Sequence, residues 1–117
     1  MPRFVVLRHD HPFLHWDFML EQGETLRAWR LMKPPADAGA IVGEALGEHR
    51  RAYLDYEGPV SGGRGQVNCW DKGDYETLSD DGDRIELALK SEKLNGQAVL
   101  ERTPEPGSGW RFQFLPS

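Results

Sequence analysis

Apolar and polar residues alternate with a period of two over 13–20, 26–32, 85–89, 97–102 and 110–115, and shorter runs of the same kind occupy 3–8 and 66–70. That period puts successive side chains on opposite faces of an extended chain, so each run is predicted as a strand. Turn-forming clusters separate the runs: Gln22-Gly23-Glu24, Gly62-Gly63-Arg64-Gly65, Asp80-Asp81-Gly82-Asp83, Asn95-Gly96 and Pro106-Gly107-Ser108-Gly109. The stretch between Pro35 and Glu48 is the one candidate helix, weakened by Gly39 and Gly43. Many short strands with 13 Gly and 8 Pro predict a mainly antiparallel all-β fold, a small closed or nearly closed barrel with at most one short helix.

The first hairpin can be read in detail. On a strand over 13–21, Leu14, Trp16, Phe18 and Leu20 share a core face, while His15, Asp17, Met19 and Glu21 share the other. A turn at Gly23-Glu24 pairs this strand with 26–32, setting Trp29 opposite Phe18, Leu31 opposite Trp16, Arg30 opposite Asp17 and Met32 opposite His15.

Size and composition then set bounds. The 117 residues suit one domain, 1–117, and the 38% apolar content with four Trp and five Phe suits a folded core. A net charge of −5 argues against indiscriminate coating of DNA but leaves room for a local basic patch that takes one strand end. The lone Cys69 cannot form an internal disulfide, and "MPRFVVLRHD" is too short an apolar run for a signal peptide. No run approaches membrane-spanning length, so a soluble cytoplasmic domain with no membrane partner is expected.

Candidate chemistry concentrates in "RHDHPFLHWDFMLE", residues 8–21, which holds three of the four histidines. His15 and Asp17 lie two apart on one strand face, and His9 can join them if the chain bends at Asp10–Pro12. Two imidazoles and a carboxylate suit Mn²⁺, Fe²⁺ or Zn²⁺ with positions left for water or substrate. The alternative is a solvated polar face, and both readings stay open on spacing alone. His11 reads as an exposed spare. Arg50 and Arg51 in "HRRAY" offer local positive charge, or simply a solvated basic turn, and Tyr53 and Tyr56 are equally packing residues. Trp70-Asp71-Lys72-Gly73 reads as a structural turn.

"RHDHPFLHWDFMLE" followed by "TLRAWRLMK" resembles the 3′-phosphoesterase domain of bacterial DNA ligase D, without a gap from His9 to Lys33. "EHRRAYLDYEG", "WDKGDYETL" and "IELALKSEKLNGQAVLERT" are similar to later blocks of that family in the same order. The resemblance implies a β-barrel and a Mn²⁺-dependent phosphoesterase that removes a 3′-terminal ribonucleoside and then the 3′-phosphate. It places His9, His15 and Asp17 on the metal ligands, and His49 and Tyr53 beside the scissile phosphate. Lys33 falls on the family's Pro-Lys lysine. The implied partners are a nucleic-acid 3′ end, DNA or RNA-tipped DNA, together with Ku and a separate ligase or polymerase.

Three departures qualify that reading. Met19 stands where the family has an arginine, a basic residue expected before His49 has no counterpart, and the connection at 59–68 is short. Arg30, diagonal to Met19 on the proposed hairpin, is a geometric candidate for the missing phosphate contact, with Lys33, Arg50 and Arg51 as further ones. The rival readings are a catalytically weak or silent module that keeps the metal site and holds a nucleic-acid end, and a phosphoesterase for a small nucleotide.

Overall fold

A computed structural model describes residues 2–37, 39–104 and 109–117. The chain forms β1 (Arg3–His9), β2 (His15–Gln22), β3 (Thr25–Leu31), β4 (Ile41–Arg50), a 3₁₀ turn (Arg51–Leu54), β5 (Gly58–Pro59), β6 (Gln66–Asp80), β7 (Arg84–Ser91), β8 (Asn95–Arg102) and β9 (Gly109–Pro116). Eight strands run in the order β1-β2-β3-β4-β9-β8-β7-β6, and β6 pairs back with β1 to close the barrel, with β5 added beside β6. Every pairing is antiparallel. Closure leaves none of the eight with an unpaired edge along its whole length, which removes the hazard of open sheets.

The β2–β3 hairpin has the register read from sequence: Phe18 opposite Trp29, Trp16 opposite Leu31 and Asp17 opposite Arg30. Gly23, at φ +63°, takes the first of its two turn positions, where a side chain would be strained. The inward residues fill the barrel, with Phe18 at 5.1 Å from Phe112 and Trp29 at 5.7 Å from Trp110 between ring centroids. Leu14 is outside this core: β2 begins at His15, and Leu14 is 43% exposed. Met32 lies past the paired register and is exposed, its N–H bonded to Val42 O.

Three other expectations are corrected. The span read as a helix holds β4, where Ile41 pairs with β9, Gly43 with both β9 and β3, and Ala45 with β3. Gly43 is small because a Cβ there would sit 3.1 Å from the Leu31 side chain, so packing, not helical pattern, selects it. Trp70–Gly73 is not a turn but the middle of β6, where a Cβ on Gly73 would meet Lys90 O at 2.1 Å. Asn95-Gly96 opens β8, and the turn before it is closed one step earlier, by Ser91 N–H on Leu94 O. The Asp80–Asp83 turn stands where expected, while Pro106–Ser108 lie outside the described residues.

A second apolar layer matters most for function. After β4 the chain crosses the outside of the barrel over 51–65 to reach β6 beside β1. This crossover covers the outer faces of β1, β2 and β3, where Val5, Leu7, Met19, Leu26, Leu54 and Val67 form a separate buried cluster. Strands β1 to β3 are therefore buried on both faces, and His15 and Asp17 are 0% and 4% exposed instead of solvated. No helix among the described residues is long and apolar enough to cross a membrane.

Gly65, at φ +74°, seats the crossover on the 10–11 segment: a Cβ there would lie 2.2 Å from Asp10 Oδ1 and 2.7 Å from His11 Cβ. At Gly63 (φ +68°) a Cβ meets open space. Gly63→Ala is expected to cost about 1 kcal/mol from backbone strain alone, and Gly65→Ala clearly more because steric displacement adds to it. Urea unfolding midpoints check the difference, and equal losses would show that the crossover does not need this contact.

Candidate functional site

His9 ends β1 and His15 begins β2, and the two are direct antiparallel partners. Neighbours of this kind stand close on one face, here with ring centroids 4.9 Å apart. Asp17 is the next residue of β2 on that face. Its carboxylate meets both rings, Oδ1 at 3.1 Å from His15 Nε2 and Oδ2 at 3.4 Å from His9 Nδ1. One candidate ligand atom from each of the three residues lies within 4.8 Å of the other two.

The second nitrogen of each ring determines what the first can do. His15 Nδ1 lies 2.9 Å from Phe13 O, and His9 Nε2 lies 2.8 Å from Arg64 O. A carbonyl only accepts, so each of these nitrogens carries the hydrogen, and in the neutral rings His15 Nε2 and His9 Nδ1 present lone pairs toward Asp17. His15 Nε2 and Asp17 Oδ1 are both buried without a hydrogen-bond partner in spite of their closeness. A carboxylate oxygen buried beside an acceptor, with no donor, is costly unless a cation joins them. The donor set of two imidazole nitrogens and one carboxylate thus fits a first-row divalent ion, and backbone carbonyls orient the rings as such sites require.

His9 and Asp17 open onto a cleft of about 350 Å³ between the barrel's outer face and the crossover, with His15 buried behind them. Leu7, Met19, Leu46 and Val67 give it an apolar floor, while His11, Arg30, His49, Tyr53 and Arg64 bring polar groups to its walls. His49 reaches this face through an irregularity in β4. Leu46 pairs with Ala28 but His49 with Leu26, three steps against two. The extra residue shifts the alternation so that His49 points outward with Leu46 instead of into the barrel. Its Nδ1 donates to Gly47 O at 2.8 Å, which leaves Nε2 for the cleft. Tyr53 comes from the 3₁₀ turn and packs edge-on, 6.1 Å from the His49 ring and 5.7 Å from Tyr56.

The remaining sequence candidates separate. Arg30 lines the cleft, diagonal to Met19, with Nη1 3.7 Å from Glu44 Oε1 and its guanidinium 5.4 Å from the Phe13 ring centre. It makes no ion pair with Asp17 among the described residues. Lys33 is exposed past the end of β3 and does not line the cleft. Arg50 borders a neighbouring depression with Tyr53 and Ser61. Arg51 is bound to Glu21 Oε2 at 2.5 Å, away from the cleft. The Arg3 backbone N–H, then Arg51, hold the Glu21 carboxyl below the usual carboxylate range, so Arg51 anchors the start of the crossover.

His11 lines the cleft and is half-buried, not exposed. Arg64 joins the walls as well, a residue that reads in the sequence only as part of a glycine-rich turn. Burial pushes the Cys69 thiol up, which keeps it protonated and unsuited to nucleophilic attack.

Residues 7–102 match the model of the DNA ligase D 3′-phosphoesterase domain. The chain belongs to this family. It is 35% identical over 111 residues to the multifunctional non-homologous end joining protein LigD of Pseudomonas aeruginosa, covering 86% of this chain and 13% of that protein. The LigD protein of Mycobacterium bovis is 30% identical over 109 residues, with 86% and 14% covered. That of Mycolicibacterium smegmatis is 27% identical over 124 residues, with 92% and 16% covered. The chain thus spans about a seventh of the length of these relatives.

Metal addition should stabilise the fold through Asp17. Without metal, Asp17→Asn is expected to melt no lower than the natural chain, because it removes an uncompensated buried charge. The rise in melting temperature on adding Mn²⁺ should vanish in that variant, and calorimetric affinity should fall more than about tenfold, the smaller loss seen when only a ligand's orienting group is removed. An unchanged Mn²⁺ response in both Asp17→Asn and His15→Ala would contradict the assignment.

Proposed function

We propose that this chain is a divalent-metal-dependent phosphoesterase acting on nucleic-acid 3′ ends, removing a terminal ribonucleoside and a 3′-phosphate in non-homologous end joining. The observation that carries the reading is one cleft of a ligase D phosphoesterase domain lined by His9, Asp17, His49 and Tyr53, with His15 clustered behind His9 and Asp17. Family membership supports the repair context, and the names of the relatives support non-homologous end joining. Ku and a separate ligase or polymerase are the partners this reading expects.

His9, His15 and Asp17 would hold the ion, with Mn²⁺ the first choice. A divalent cation supplies positive charge that polarises a phosphoryl oxygen and lowers the pKa of water. The chain's own groups do the rest. His49 Nε2, freed by the Nδ1 bond to Gly47 O, is the atom that gives a proton to the departing oxygen when the ring is charged. The Tyr53 hydroxyl donates to an equatorial phosphate oxygen without adding charge. Arg30 adds a cation at the wall, and the barrel and crossover hold all of these in place before substrate arrives.

Met19, 1% exposed in the cleft floor, favours a second reading. With an apolar side chain where the family donates to phosphate, the cleft would hold an end without cleaving it. Labelled primer-templates ending in a ribonucleotide or a 3′-phosphate, with and without Mn²⁺, separate the two. The enzyme reading expects Mn²⁺-dependent conversion to a 3′-hydroxyl. His49→Ala and Tyr53→Phe should each lose about 10²–10³-fold in rate while keeping Mn²⁺ affinity. Tight binding of the ends with no conversion under any metal would establish the silent module instead.

A further inference from the structure

A phosphate monoester spreads its charge over three oxygens, and a guanidinium engages two of them at once. Met19 removes such a fork from β2. Of the two arginines that line the cleft, Arg30 leans on Glu44, with Nη1 3.7 Å from Oε1. Arg64 lines the cleft, is exposed, and has no carboxylate partner among the described residues.

Its position is fixed from several sides. Arg64 Nε donates to Ser61 O at 2.7 Å and Nη2 reaches Ser61 Oγ at 3.3 Å, which sets the plane of the guanidinium and leaves Nη1 unspent. The loop closes on itself through Val60 N–H on Gly65 O at 2.8 Å. Gln66 N–H donates to Asp10 Oδ1 at 2.8 Å, and Gly65 packs against Asp10 and His11. Arg64 O accepts from His9 Nε2, so one cleft-lining residue carries both the carbonyl that orients a metal-site ring and a guanidinium with no carboxylate partner among the described residues.

We propose that Arg64 is the guanidinium that receives the 3′-phosphate, taking over from the crossover the role that Met19 leaves vacant on β2. This rests on the phosphoesterase reading and adds a phosphate-specifying residue to it. The two functions of residue 64 are separable, because Arg64→Ala deletes the fork and keeps the carbonyl.

Binding of 3′-phosphorylated and 3′-hydroxyl primer-templates, followed by fluorescence anisotropy with calorimetric Mn²⁺ titration, tests the proposal. The natural chain should prefer the phosphorylated end, and Arg64→Ala should lose about tenfold or more of that preference, the usual scale for a hydrogen-bonded charge, with Mn²⁺ affinity within about twofold. Arg64→Lys should recover part of it, and Met19→Arg in the Arg64→Ala chain should restore it from the cleft floor. A full preference in Arg64→Ala, or its loss in Arg30→Ala alone, overturns the assignment. So does a parallel loss of Mn²⁺ affinity, which would make residue 64 a structural support. If the natural chain neither prefers nor hydrolyses the phosphorylated end, the phosphoesterase reading falls as well. Hydrolysis unaffected by Arg64→Ala removes this inference alone.

Discussion

Two backbone carbonyls govern the chemistry of this protein. Phe13 O and Arg64 O each take the N–H of one imidazole, and the opposite nitrogens are thereby turned on Asp17. The carbonyls come from different parts of the chain, one from the turn before β2 and the other from the end of the crossover. The triad is complete only when the barrel has closed and the crossover is docked. That dependence makes the site a product of tertiary structure, although its three residues lie within nine positions of sequence.

The crossover also sets the environment of the cleft. By burying the outer faces of β1 to β3 it gives the triad an apolar surround, in which charges interact more strongly than in water. The chain as a whole is acidic, yet arginine and histidine side chains predominate among the polar groups that line this cleft. Many of the carboxylates sit elsewhere, as on the β6–β7 turn, where Asp81 is held below the usual carboxylate range by the backbone N–H groups of Asp83 and Arg84. Overall acidity disfavours wrapping along a duplex, while Arg30 and Arg64 give this cleft a local positive charge that the rest of the composition lacks.

Legibility in the sequence followed physical locality. The β2–β3 register was readable because strict alternation and a two-residue glycine turn leave one pairing that keeps Phe18 and Trp29 together. The clustering of His9, His15 and Asp17 was readable for the same reason. Its burial was not, since the 51–65 segment that covers it has no periodic pattern. Gly73 and Gly96 imitate turn signals, but each marks a strand position where a neighbouring backbone leaves no space for a Cβ. β4 imitated a weak helix because two of its inward positions, Gly43 and Ala45, are small and blur the apolar alternation. The irregularity that aims His49 into the cleft is a matter of register between distant strands, and only the family resemblance pointed to that residue in advance. Arg64 had no sequence signal beyond its glycine neighbours.

The two carbonyls lock His9 and His15 as opposite tautomers with both lone pairs on Asp17. Long-range ¹H–¹⁵N correlation of the imidazoles, in metal-free protein at a pH where both rings are neutral, reads this directly. The Nε2–H form is expected for His9 and the Nδ1–H form for His15. An N–H on the Asp17 side of either ring would contradict it, because the carboxylate would then be satisfied by a hydrogen bond and would need no cation.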